Sequence, residues 1–201
     1  MYFKQKILAK TLGTLALICS PALAIAAQSQ DSGGWSWSAH IANLNMDSKV
    51  AEEQGVNDSI FVLGAAAERY FTGSDFTFSL GLDLLLFDDK DGFSNQTTGG
   101  RKSSSASGGM LFAEYGTKIN FGENHQNFVE ARAGYSGLLS ASRSISYCDG
   151  CDSEDIEFDG GTYGLLGVGH SFTSFDLGLQ FQQYFSGDLD NSLRLKISTV
   201  F

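Results

Sequence analysis

Leu193-Arg194-Leu195-Lys196-Ile197-Ser198-Thr199-Val200-Phe201, the last nine of 201 residues, decide how the rest of the chain is read. Leu193, Leu195, Ile197, Thr199 and Phe201 take every second position, with Arg194, Lys196 and Ser198 between them. Successive side chains of an extended strand point to opposite faces, so this segment has one apolar and one cationic face. A dry core on both sides would leave two ionised groups without solvation, at a cost no single strand recovers. Lipid on one side and a hydrated or salt-bridged lumen on the other satisfy both faces; a soluble two-sheet sandwich is the competing arrangement.

The N-terminus indicates the compartment. Lys4, Lys6 and Lys10 precede an apolar run from Leu12 to Ile18, followed by Pro21 and Ala22-Leu23-Ala24-Ile25-Ala26-Ala27. This is the layout of a secretory signal peptide, with Ala24-Ile25-Ala26 as an A-x-A site. Residues 1–26 are therefore expected to be the leader and 27–201 one domain, a cut after Ala27 fitting nearly as well. Cys19 is a poor lipoprotein acceptor, because Ile18 stands where a small residue is required. Without the leader, ten basic residues face twenty-three acidic ones, which argues against a nucleic-acid partner. No later stretch reaches the roughly 18 uninterrupted apolar residues of a helical span. Any crossing is made by strands, in keeping with abundant glycine and aromatics and a single proline, Pro21, in the leader.

Period-two segments recur at about 34–46, 59–71, 75–87, 108–121, 126–139, 161–173, 175–185 and 191–201. In the third, Phe76, Phe78, Leu80, Leu82, Leu84 and Leu86 oppose Thr77, Ser79, Gly81 and Asp83. The second places Arg69 on its apolar face, where it would have to snorkel. The sixth, with Leu165, Leu166, Gly167, Val168 and Gly169, does not declare its faces. Connections alternate between short (72–74, 122–125, around 174) and long (47–58, 88–107, 140–160), with a compact fourth at 186–190. Short turns on one side and longer loops on the other are the habit of outer-membrane barrels. Trp35, Trp37, Phe71, Phe76, Phe121, Phe172, Phe175 and Phe201 gather at the short-turn end, as an interfacial girdle would.

These features resemble the small eight-stranded bacterial outer-membrane β-barrels of the OmpA-barrel and OmpX type. The likeness spans residues 27–201 and rests on architecture and on the final strand. It implies an all-β fold, an eight-stranded antiparallel transmembrane up-and-down barrel, in the outer membrane of a Gram-negative cell. It also implies that Phe201 is a signal read by the barrel assembly machinery, that the partners are outer-membrane lipid and lipopolysaccharide, and that the protein is a monomer. No peptidoglycan-binding domain follows the barrel, so wall anchoring is not expected. A structural or surface role is expected, without enzymatic activity or cofactor.

On this register the lumen collects Glu68, Asp83, Glu114, Lys118, Glu130, Arg132, Asp176, Arg194 and Lys196. An eight-stranded barrel is narrow enough for side chains to fill it, and buried opposite charges should pair. A salt-bridged plug is the expectation, with Gly81, Gly116, Gly134 and Gly178 leaving room for long Arg and Lys side chains. The alternatives are a low-conductance pore, gated by exchange of partners between Glu130 and Arg132 or Arg194, and a proton-linked or ligand-binding interior.

Cys148 and Cys151 are the only thiols after the leader, and export through an oxidising compartment makes a disulfide their expected fate. Zinc would need two further ligands, and no His is nearby; a redox site would need a helix N-terminus in a βαβ context. The long loops are rich in carboxylates, among them Glu52, Glu53, Asp88, Asp89, Asp152, Glu154, Asp155, Glu157, Asp159, Asp188 and Asp190. A solvated, repulsive surface is expected there, with Ca²⁺ or Mg²⁺ binding as the alternative. His40 and His125 have no evident Ser and acid partners. His170 and Ser171 are adjacent and so point to opposite faces, and the His-x-Ser spacing of outer-membrane lipid A deacylases fails because residue 172 is Phe.

Overall fold

The computed structural model describes residues 34–71, 75–89, 104–145 and 153–199. Its strands are β1 (Trp35–Met46), β2 (Val56–Tyr70), β3 (Phe76–Asp89), β4 (Ser104–Phe121), β5 (Asn127–Ile145), β6 (Ser153–Asp155), β7 (Gly161–Ser171), β8 (Phe175–Tyr184) and β9 (Leu189–Thr199). Every wall strand pairs antiparallel with its neighbour in sequence, β5 passing directly to β7, and β9 returns to β1. Ile41 thus stands opposite Leu63 on one side and Leu195 on the other. Closure leaves the wall no free edge. The three-residue β6 pairs only with the outer extension of β5, Ser142 opposite Asp155, and is not a wall strand. The fold is the closed eight-stranded antiparallel barrel that the alternation predicts.

Burial is inverted relative to a soluble protein. Leu80, Leu82, Leu111, Leu177, Leu179, Leu193, Leu195 and Ile197 are exposed on the outside, while Ser79, Glu114, Glu130, Gln180 and Arg194 are buried within. Arg69 lies outside, as its parity requires, with its guanidinium 5.8 Å from the Trp35 ring. At the short-turn end the chain reverses through Gly122 at φ 84°, followed by Asn124 and His125 at φ 60° and 54°, and through a Phe172 amide donating to the Phe175 carbonyl. At the other end the first loop carries a short helix, α1 (Ser48–Glu53), whose N-cap Asp47 accepts from the amides of Lys49 and Val50.

Three strands run three or more residues further than their sequence suggests. β2 starts at Val56 rather than 59, β4 at Ser104 rather than 108, and β5 continues to Ile145 rather than 139. The segment 104–109 is Ser- and Gly-rich and poor in strand propensity, but it pairs with β5 throughout and with β3 from Ala106 on, where Ala106 stands opposite Phe87 on β3 and Arg143 on β5. Tertiary pairing outweighs local preference here.

The expectation that four glycines make room for Arg and Lys needs correction. A Cβ at Gly81 would strike the Phe112 ring, one at Gly134 the Tyr163 ring, and one at Gly178 would crowd Phe128; only Gly116 faces Arg132. Aromatic rings take the space first, and a cation lies over them: Arg194 is 5.3 Å from the Phe112 centroid and Lys118 is 4.3 Å from that of Phe128. Gly169 also abuts Phe128. Gly169→Val is therefore expected to cost about 1–3 kcal/mol by overpacking. Denaturant unfolding of the refolded variant checks this; an unchanged midpoint would mean that Phe128 is free to move.

The interior has two layers. Towards the short turns it is ionic, whereas at the long-loop end Leu44, Met46, Val56, Ile60, Val62, Leu85, Met110, Leu165 and Leu189 form one apolar cluster. Ala51 of α1 and Ile156 and Phe158 of the third loop close it from above, with Phe158 edge-on to Phe87 at 6.1 Å.

Candidate functional site: the ionic layer of the lumen

Alternation along β2, β4, β5, β8 and β9 aims Glu68, Glu114, Lys118, Glu130, Arg132, Asp176, Arg194 and Lys196 at the barrel axis, and β3 adds Asp83. Arg132 is the hub. Its guanidinium lies 2.8 Å from Glu130, 3.2 Å from Glu68 and 3.6 Å from Glu114, and donates to the Ser79 hydroxyl at 2.6 Å. Lys196 reaches Glu68 at 2.5 Å and stands 3.9 Å from Glu130. Arg194 pairs with Glu114 at 2.7 Å. Three carboxylates and three cations thus form one network fixed to four strands.

Neutral donors complete the shell. Tyr163 donates to Glu114 at 2.8 Å, Gln180 to Glu130 at 2.7 Å, and Ser38 and Tyr70 to Glu68 at 3.2 and 3.3 Å. A buried carboxylate is tolerable when its oxygens have polar partners, and each oxygen of Glu68, Glu114 and Glu130 has at least one within 3.6 Å. Lys118 pairs with Asp176 nearer the short-turn mouth. A cavity of about 10 Å³ between Tyr70, Lys118, Phe128, Asp176 and Lys196 has room for one water.

All nine lumen residues read from sequence are buried or nearly so, and eight of them join an ion pair with another of the nine, the pairing that the sequence left open. The ninth, Asp83, meets His40 instead, Nε2 to Oδ1 at 3.0 Å. His40, for which the sequence offered no evident Ser and acid pair, thus faces an acid. His40 lies on the inward parity of β1, and a Cβ at Gly64 of β2 would collide with both members of the pair, so their approach requires that glycine. The inward parity of His40, Ser79, Tyr163 and Gln180 was the available signal for the missed residues.

His170, on β7, has Nδ1 3.0 Å from the Asn127 side chain and packs edge-on against Phe172. At the long-loop end Arg143 gathers Glu154 at 2.6 Å and Asp89 at 3.4 Å, so two of the loop carboxylates are engaged by a guanidinium. The Asp188 carboxylate accepts from the Asp159 amide at 2.6 Å. Cys148, Cys151, Phe201 and residues 1–26 lie outside the described residues.

No family model matches the chain, and no curated protein does. Among solved structures it is similar to Neisserial surface protein A (NspA), with 12% identity, a TM-score of 0.46, and 83% of this chain and 96% of that one covered. It is also similar to Ail, the attachment invasion locus protein of Yersinia pestis, solved in complex with the heparin analogue sucrose octasulfate. There the identity is 11%, the TM-score 0.38, and the coverage 84% of this chain and 98% of that one.

Proposed function

We propose that this protein is an integral outer-membrane β-barrel with a structural and surface role, closed to ions, which holds its acidic loops at the cell surface for adhesion or cation contact. The observation that carries this reading is the pairing of an apolar exterior with an interior filled twice over, by ion pairs below and by the apolar cluster above. Lipid and lipopolysaccharide are its surroundings, the barrel assembly machinery inserts it, and it acts as a monomer. A low-conductance pore is the second reading, favoured by the charged lumen; ions would have to pass Phe158, Met46 and Leu189, which lie across the mouth. A lipid-modifying enzyme is the third, and it finds little support in histidines already facing Asp83 and Asn127.

Expression of the full chain in a Gram-negative host, followed by membrane fractionation and protease treatment of intact cells, tests the placement. The expected result is protein in the outer-membrane fraction, cleaved in its long loops and protected at its short turns. Recovery as a soluble periplasmic protein would overturn it.

A further inference from the structure

Arg69 is the one Lys or Arg among the described residues that lies on the outside of the wall within the apolar belt. The other basic side chains of the spanning strands, Lys118, Arg132, Arg194 and Lys196, all point into the lumen and are ion-paired there. Arg69 sits one residue from the end of β2, at the short-turn end, opposite Trp35 on β1 and Phe78 on β3. Its guanidinium carbon is 5.8 Å from the Trp35 ring centroid and 6.0 Å from that of Phe71, so two exposed rings flank it. Its sequence neighbours Glu68 and Tyr70 turn inward and hydrogen-bond to each other, so neither serves it. No carboxylate of the described residues forms an ion pair with it.

A guanidinium at the edge of an apolar belt is stabilised by an anion at its own depth. The carboxylates of the described residues supply none here, although they pair with every lumenal cation. At the edge of a bilayer the available anion is the phosphodiester of a phospholipid, and guanidinium is suited to it, since it presents two parallel donors to two phosphate oxygens. The flanking aromatic rings sit at headgroup depth and hold the guanidinium in place by their faces. We infer that Arg69, bracketed by Trp35 and Phe71, is a binding site for the phosphate of one phospholipid in the leaflet at the short-turn end. The inference rests on the membrane reading given above.

The test uses the full mature chain refolded in detergent, with folding verified by the heat-dependent gel shift of an intact barrel. Phosphatidylglycerol is titrated in and retained lipid is counted by native mass spectrometry. The phosphate-free control is a galactosyl diacylglycerol, and glycerol phosphate serves as the soluble-phosphate arm. The expected result is one phosphatidylglycerol held by the wild-type chain, about tenfold weaker in Arg69→Leu and intermediate in Arg69→Lys. Glycerol phosphate should neither bind nor compete, because the acyl chains supply the rest of the affinity. Equal retention by Arg69→Leu, or equal retention of the phosphate-free lipid, would overturn the site. Should Arg69→Leu fail to fold, Arg69→Gln and Trp35→Leu carry the same comparison. A wild-type chain that does not fold into detergent or bilayer would instead refute the membrane reading, so the two failures are distinguishable.

Discussion

Replacing Arg132 by Ala is expected to destabilise the folded barrel by about 3–5 kcal/mol, the usual cost of removing one member of a buried ionic cluster. The guanidinium touches Glu68, Glu114 and Glu130 together, and its loss leaves Glu130 with only Gln180 and a Lys196 ammonium 3.9 Å away. Three carboxylates are then left with two cations, Arg194 and Lys196, in a site with little access to water. Arg132→Lys should recover only part of the loss, because an ammonium on a flexible stem cannot bridge three acids with a planar fork. Urea unfolding of protein refolded into vesicles is the measurement. A variant with the wild-type midpoint would mean that the lumenal charges are solvated and that this network does not hold the interior together.

The second large effect belongs to the opposite face. Leu195 stands between Ile41 and Leu179 in the middle of the apolar belt, and Leu195→Arg is expected to cost about 2–4 kcal/mol, the penalty of a cation at the bilayer midplane. Asn43→Arg, at an exposed position nearer the long-loop end of β1, should cost about 0–1 kcal/mol. The contrast between the two sites is the informative quantity, measured as unfolding free energy in vesicles. In a water-soluble barrel an exposed Leu→Arg would be neutral at either depth, so equal and small effects would refute lipid contact.

The parts of the chain that could be read from sequence follow from this two-layer interior. Where the lumen is ionic, the sequence alternates plainly: Leu193, Arg194, Leu195, Lys196 in β9, or Tyr115 beside Glu114 in β4. Where the lumen is apolar, both faces of a strand are hydrophobic and parity disappears. Leu165 and Leu166 are adjacent and equally apolar, yet Leu165 is 1% exposed in the upper cluster and Leu166 is 67% exposed on the outside of the wall. Leu85 and Phe87 of β3 point inward between the outward-facing leucines for the same reason. The apolar cap was illegible for a further reason. It is completed by Ala51, Ile156 and Phe158 from segments that read as loop, and their burial depends on contacts across the whole mouth of the barrel. Pairing within the ionic layer was closed to sequence reasoning because it depends on the shear of the wall, which brings Glu68 of β2 against Arg132 of β5.

The central claim is a barrel whose lumen is shut, and ionic current across a planar lipid bilayer containing the refolded mature chain tests it most directly. Heat-dependent gel mobility first establishes that the inserted protein is folded. The expected record is electrically silent over the voltage range that the bilayer tolerates, for the wild-type chain and for Arg132→Lys alike. Discrete conductance steps that change in size or frequency with Arg132→Lys would contradict the claim and make the ionic layer a gated pathway.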